Sequence, residues 1–530
     1  MNSLSQRLIS WAKEHPILAP TLVGLFVRLL TALLGLGFHA RDDYFHVLDP
    51  ALHWVADPLF DWDNSTLAGA GLRSHLVPRL VSGLILGCHS IGIENPTRIL
   101  QVLYATLGLY STLVIPGSYL LGRELFKTPD NRFASTILWV PWLMALHFAM
   151  PYSGTRLLIE AMAMPPLVWG LYYCAYSNAR SIILGGFLIG LGCWFRFHLG
   201  AATIGLALFI AFRETKNAPK AIACLALGGA SAVVIQGLYD LYSTGQFLGP
   251  VIRNIQYNAN PPGELSRSNP AAYIGFWLLL TVPPATFLLL PPLWKSFRAW
   301  GLVSWPWLSF TVLHSLVGHK EERFMIPVLP LFLIMLAPLP ILIRDWSEGF
   351  GKILRRFWPM ARNYLWVLHT VALVLVIGNQ SQKNLRDAML ELRPNPQLET
   401  IISLGPETQS YFLGRPKVAI HRNRKFDAIW LKHVLDSVGK LTPAGAAIIS
   451  FAQDRPKVGI ILMAEGLQCA PPKELRGWWL DRLVYKLNPR RNVRRSPVDI
   501  WRCSYQSFAT NTTRLSPEVF HAQAPLYQND

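Results

Sequence analysis

Two clusters of ionisable residues lie beside long apolar runs, where such groups are costly unless they line a cavity or a site. The first is RDDYFHVLDP (41–50), a few residues after the run TLVGLFVRLLTALLGLGF (21–38). Its adjacent carboxylates, Asp42 and Asp43, fit three uses. They can be a polar stop after a membrane helix, a general base that takes a proton from a hydroxyl nucleophile, or a metal site, because carboxylate oxygens suit Mg, Ca or Mn. The second cluster is GHKEERF (318–324), with His319, Lys320, Glu321, Glu322 and Arg323 between two apolar runs. It reads either as a solvated loop with internal ion pairs or as a grip on phosphate, for which Arg offers a planar fork and Lys a point charge.

Two further cations belong with these clusters. YSGTRLLIEAMAM (152–164) reads as the start of a helix whose N-terminal end carries Ser153, Thr155 and Arg156, a place that attracts anions. Arg196 stands in WFRFH (194–198) with no acidic residue close in sequence. Each arginine also fits a side chain that snorkels to a membrane interface.

The elements that must hold these residues are membrane helices. The chain has 530 residues, of which 52% are hydrophobic and 15% charged, against about 25% charged in soluble chains. A spanning helix needs about 20 mainly apolar residues. Spans are expected at roughly 17–38, 97–121, 133–150, 157–176, 181–197, 199–212, 221–240, 273–293, 301–317, 324–343 and 364–379, about eleven in all. The Lys/Arg-rich loops 122–132, 213–220, 295–298 and 344–362 then share the cytoplasmic side with the N-terminus. The polar stretches 41–45, 152–156, 196–198, 240–270 and 318–324 all face outward. Segment 76–93 is apolar too, but a span there would reverse every later loop, so it is expected to lie at the outer interface.

The net charge of +18 is dispersed among short loops rather than gathered on one face, which argues against a nucleic-acid partner. The excess in the C-terminal tail suits anionic headgroups. No small-residue cleavage site follows the first apolar run, so that helix is expected to be retained. From about residue 380 short apolar runs alternate with polar loops, as in a small α/β domain. The expected organisation is a membrane region (1–380), with a first outer loop at 39–96, and an outward C-terminal domain (381–530). Cys88, Cys174, Cys193 and Cys224 fall in membrane segments and read as buried thiols. Cys469 and Cys503 can pair if their compartment is oxidising.

These stretches resemble the GT-C superfamily of polyprenyl-phosphate-sugar-dependent glycosyltransferases. More narrowly, they resemble glycosyltransferase family 22, the α-mannosyltransferases that elongate N-glycan precursors and GPI anchors. HKEERFMIPVLP (319–330) is similar to that family's HKE-x-RF-x-x-P-x-x-P signature, and DDYFHVLDPALH (42–53) to its first outer loop. FDWDNSTLAGAGLRSHLVP (60–78) continues the loop, with Trp62 and Asp63 where the family has Trp-Glu and Arg73 at its Arg-Ser step. YSGTRLLIEAMAMPPLV (152–168) resembles a third motif, and DLYSTGQFLGPVIRNIQYN (240–258), with Asp240 and Tyr242, a fourth. Ala40-Arg41 replaces the family's usual His-Pro, and Asp43 its Glu.

The resemblance implies an all-α polytopic membrane protein of GT-C fold that moves a hexose, mannose foremost, from a polyprenyl-phosphate donor to a hydroxyl of a glycan or glycolipid. It implies Asp42 as the base, with Asp43 beside it. His319, Lys320, Arg323, Arg156 and Arg196 would hold the donor phosphate. Trp62, Asp63, Arg73, Glu321, Glu322, Asp240 and Tyr242 would contact acceptor or sugar or give structural support. No metal or other cofactor is expected, and the partners are the lipid-linked donor, the acceptor and membrane lipids. The outer face would be periplasmic in a bacterium, which the compact loops favour slightly, or lumenal in the endoplasmic reticulum. A transporter or lipid flippase is the competing class; it calls for charges through the depth of the bundle and for internal repeats, and neither is evident. A GT-C enzyme using another sugar fits the same motifs.

Overall fold

The computed structural model describes residues 4–40, 44–65, 67, 69–213, 217–259, 269–346, 349–414, 418–423, 427–438, 445–490 and 492–505. Asp42 and Asp43 therefore lie outside the described residues, as do Arg41 and parts of the loops 213–220, 240–270 and 344–362.

All the expected apolar stretches fold as helix, but not as uniform spans. Among the described residues, Pro96–Phe126, Ala218–Thr244, Glu322–Arg344 and Phe350–Ile377 are helices of membrane length. Ala272–Leu280 with Ala285–Ala299 makes a fifth if its two halves, bent by 101°, are taken as one span. Leu18–Leu34, Ala134–Leu146, Ala179–Phe195 and Phe197–Arg213 are shorter. Three expectations need correction. The stretch 157–176 is divided into Ile159–Met162 and Met164–Cys174, the second opening on Pro165 and Pro166, which lack the N–H that an unbroken helix would need. The bend in 273–293 falls at Val282, Pro283 and Pro284, where Val282 takes a left-handed backbone with φ 58°. The loop 344–362 is helical from Phe350 onward, because its basic residues stay exposed while Gly351, Leu354 and Ala361 pack inward. Segment 76–93 forms one helix, Leu76–Ser90, that buries Val77, Val81, Ile85 and Cys88 on one side.

Helix contacts in the bundle follow small residues and internally satisfied polar groups. Helix Ala179–Phe195 packs along Ala218–Thr244. There a Cβ on Gly228 would stand 2.0 Å from the Ile183 carbonyl oxygen, so the two backbones approach closely only because the side chain is missing. Arg28 is fully buried in Leu18–Leu34. It donates to Ser111 Oγ at 3.0 Å, Gly24 O at 3.1 Å and Met144 O at 3.0 Å, tying three helices together without an acid.

Beyond Phe350–Ile377 the chain turns into helix Lys383–Leu392 and then a five-stranded sheet. The strands are β1 (Thr400–Leu404), β2 (Ala419–Asn423), β3 (Ala446–Phe451), β4 (Leu467–Cys469), β5 (Lys473–Leu475), β6 (Val498–Trp501) and β7 (Cys503–Tyr505). The sheet order is β2-β1-β3-β6-β5, with β2, β1 and β3 parallel and β6 and β5 antiparallel to their neighbours. β4 pairs with β7 separately, and a disulfide joins Cys469 to Cys503 across that pair. Alternation along the strands gives each face its own core. Ile402, Leu404 and Ile448 pack under helices Ala428–Val438 and Arg455–Ala464. Ile401, Ala447, Ile449, Val498 and Ile500 join one apolar cluster with Phe38, Tyr44, Leu48, Val81 and Tyr104. The sheet is thus packed against the first outer loop rather than standing apart from it.

Candidate active site

The breaks in the bundle are where the charges meet. Helix Ala149–Gly154 ends just before Arg156, and Glu160 lies in the short helix Ile159–Met162. Ser153 and Thr155 are thus at a helix C-terminal end, not the expected N-terminus; Thr155 Oγ1 donates to Pro151 O at 2.9 Å. Arg196 follows helix Ala179–Phe195 in extended backbone, and Arg323 lies in the tight helix Glu322–Val328. Glu160 is fully buried, and its Oε1 stands 3.5 Å from Arg196 Nη1 and 3.9 Å from Arg323 Nη1. The acid that Arg196 lacks in its own stretch comes from 36 residues away by chain folding. Both guanidiniums also lie against the Phe324 ring, at 4.5 and 5.2 Å from its centre.

The HKEER segment is held by Glu321. Its carboxylate takes Arg323 as a fork, Nε to Oε2 at 2.7 Å and Nη2 to Oε1 at 3.0 Å, and meets His319 Nε2 at 2.8 Å. Lys320 donates to Val317 O, and Glu322 is exposed. Arg156 is only 1% exposed, and its guanidinium lies 4.7 Å from the Tyr104 ring centre and 4.9 Å from that of Tyr152. None of its three nitrogens has a hydrogen-bond partner among the described residues. His39, just before the carboxylate pair, connects the two groups, since Arg323, Glu160, Arg156 and Glu321 all act on it electrostatically. Protein surrounds the ring although part of its surface is exposed; this desolvation first, then the Arg323 cation, lowers its pKa to about 4. At neutral pH it is an uncharged donor and acceptor.

A partly open cleft, about 690 Å³ with the solvent at its mouth included, runs past this group. Among the described residues its wall includes Arg73, Arg196 and Arg323, with Glu160 the one carboxylate, and His46, Ser74 and Gln236 as polar neighbours. His319, Lys320 and Arg156 stand outside that wall.

A second set of polar contacts fixes the outer loop. Asp63 receives Gly71 N at 3.2 Å, meets His75 Nε2 at 3.0 Å and takes Arg253 Nη2 at 3.3 Å. Burial alone would raise the Asp63 carboxyl, but the His75 hydrogen bond and the His75 and Arg253 charges hold it below the usual range. Ser74 Oγ donates to Asp240 Oδ1 at 2.8 Å, and Asn254 Nδ2 to Leu72 O at 3.1 Å. Trp62 is fully buried, edge-on to Trp54. Trp62, Asp63 and Asp240 therefore shape the loop that carries Arg73 into the cleft. Tyr242 is 90% exposed and joins neither group.

Glu160, His39, His75 and Arg253 are participants that the sequence reading passed over. Glu160 carried a signal, being the one Asp, Glu, Lys, Arg or His inside the apolar stretch 157–176. The other three are ordinary loop or helix-surface residues in sequence and become recognisable only through their partners.

With this geometry in place, comparison with known proteins is informative. The sequence matches the Alg9-like mannosyltransferase family over residues 20–404. The chain belongs to that family. Among curated relatives, GPI mannosyltransferase 4 of Eremothecium gossypii is 24% identical over 296 residues, 54% of this chain and 55% of its own length. GPI mannosyltransferase 3 of Drosophila melanogaster is 24% identical over 371 residues, 67% of this chain and 59% of its own. The chain thus spans little more than half the length of these relatives. In fold, it resembles ArnT from Cupriavidus metallidurans in the apo state, with TM-score 0.60 at 12% identity over 93% of this chain and 98% of that one. It also resembles the apo oligosaccharyltransferase of Archaeoglobus fulgidus, with TM-score 0.52 at 12% identity over 86% and 72%. The fold is that of the GT-C glycosyltransferases, a multi-pass membrane architecture.

Proposed function

We propose that this chain is an inverting glycosyltransferase that moves a hexose, mannose foremost, from a polyprenyl-phosphate donor to a hydroxyl of a glycan or glycolipid on the outer or lumenal face of its membrane. The observation that carries the reading is the lining of the cleft, where among the described residues Arg73, Arg196 and Arg323 stand with Glu160 as the one carboxylate, a balance that suits an anion. Family membership supports mannose, and the names of the GPI mannosyltransferases support a glycolipid acceptor. A related ArnT structure was determined with undecaprenyl phosphate bound, which supports a lipid phosphate as the anion.

In the proposed reaction the acceptor hydroxyl attacks the anomeric carbon as Asp42 takes its proton. The bond to the phosphate oxygen breaks with its electron pair, and polyprenyl phosphate leaves with inverted configuration at the sugar. Charge grows on that oxygen in the transition state, where fixed cations stabilise it without reorganising. Arg196 and Arg323 line the cleft; Arg156 adds a buried guanidinium whose donors have no partner among the described residues. His319 acts through Glu321, which it helps to hold against Arg323. Lys320 and Asp43 complete the proposed set. No metal enters any step. The test is a screen of purified protein against lipid-phosphate sugars and candidate acceptors, read by mass spectrometry. A product heavier than its acceptor by one hexose is expected; donor movement across the bilayer with no product would overturn the reading.

A further inference from the structure

Helix Trp479–Leu487 in the C-terminal region has one face that nothing among the described residues covers. Trp479, Leu483 and Leu487 are 50%, 46% and 77% exposed, spaced four residues apart so that they form one stripe. Arg482 and Lys486 are exposed along its edge, and Arg490 follows just beyond the helix. The opposite side is anchored, since Asp481 is 2% exposed and accepts from Gln382 N at 3.1 Å. Tyr485 is also held, donating to Gln453 Oε1 at 3.1 Å.

The anchor fixes the helix near the membrane boundary. Gln382 lies five residues past the end of the membrane-length helix Phe350–Ile377, and five residues reach at most about 18 Å. The same boundary is marked by the end of Leu18–Leu34: Gly37 N donates to Asn379 O at 2.9 Å, and Gln380 donates to Leu34 O. An apolar stripe bordered by cations at that level has the composition of helices that lie in the plane of a bilayer, sunk about 5–10 Å into the headgroup and acyl boundary.

We infer that Trp479–Leu487 is a membrane-surface anchor that seats its apolar stripe among the phospholipid acyl chains and its cations on the headgroup phosphates. The inference does not depend on the proposed reaction. It gives the C-terminal sheet a second attachment to the bilayer, besides the covalent one at Ile377. The sheet face that packs on the first outer loop is thereby held at a set height over the cleft.

The test uses the full-length wild-type chain in nanodiscs of phosphatidylserine mixed with phosphatidylcholine that carries a diazirine on the acyl chain. After irradiation and digestion, lipid adducts are mapped by mass spectrometry. Peptides from Trp479–Leu487 are expected to carry adducts, and those from Ala428–Val438, on the sheet face turned from the outer loop, are not. The doubly substituted Arg482→Glu, Lys486→Glu chain, altered only at exposed positions, should lose at least about half of the adduct yield, given the attraction of each cation to the surface. Adduct yield at Trp479–Leu487 no higher than at Ala428–Val438 would overturn the inference and leave the stripe to a protein partner. An unchanged yield in the double variant would overturn the role of the cations.

Discussion

Replacing Glu160 by Gln keeps the size of the side chain and removes its charge. The carboxylate lies 3.5 Å from one guanidinium and 3.9 Å from another, and all three residues are buried. At an effective dielectric constant of about 20, each attraction is worth about 4–5 kcal/mol before desolvation is set against it. Removing one partner of a buried ion pair costs about 3–5 kcal/mol, because the remaining charges stay buried and uncompensated. An unfolding entropy of about 2.1 cal/mol/K per residue over 530 residues is about 1.1 kcal/mol/K, so Tm should fall by about 3–4 °C. Transfer should fall further than stability, since arginines displaced by about 1 Å can cost about a hundredfold in rate. The measurements are thermal unfolding of the purified protein and the initial rate of hexose transfer. A Glu160→Gln protein with wild-type Tm and wild-type rate would refute the claim that this acid positions Arg196 and Arg323.

Asp42→Asn should lower transfer by about 10²–10⁴-fold, the usual contribution of a general base, with expression unchanged; near-normal transfer would remove Asp42 from that role. Transfer should survive EDTA, and a loss restored by Mn²⁺ would instead make the carboxylate pair a metal site. The Asp63 carboxyl is held below its usual pKa, so its stabilising contribution is full above the unfolded value of about 3.9 and is lost as pH falls through the folded one. The Tm gap between wild type and Asp63→Asn should therefore be the same at pH 7 and pH 5 and narrow at pH 3; a constant gap down to pH 3 would count against the latch between Asp63, His75 and Arg253.

The sequence showed where helices form more reliably than how they are shaped. Apolar length located every stretch, because burial in lipid or protein leaves the same hydrophobic mark. It did not reveal the break at Ala163 inside the expected stretch 157–176, which sets Glu160 in a short helix of its own beside the charged group. Arg323 was legible from its neighbours, since HKEERF clusters charge within seven residues. The Arg196–Glu160 pair was not, because its members are local oddities on two separate stretches that only tertiary packing unites. The first-loop motif named Asp63 and the motif at 240–258 named Asp240, and both carboxylates meet at that loop, but neither motif marked Arg253 or His75. Tyr242, named by the motif at 240–258, is turned to the surface.

The apolar cluster shared by the sheet and the first outer loop has a consequence for biosynthesis. Tyr44 hydroxyl meets Ser410 Oγ at 2.9 Å across a separation of 366 residues, and the same serine donates to Asp49 Oδ1 at 2.5 Å. At about 5–20 residues per second, the ribosome delivers Ser410 about 20–70 s after Tyr44. Throughout that interval Tyr44, Leu48 and Val81 lack the sheet residues that will cover them. The loop beside the cleft therefore reaches its final form among the last parts of the protein, and a nascent chain halted before the sheet emerges holds a complete set of membrane helices around an unfinished site.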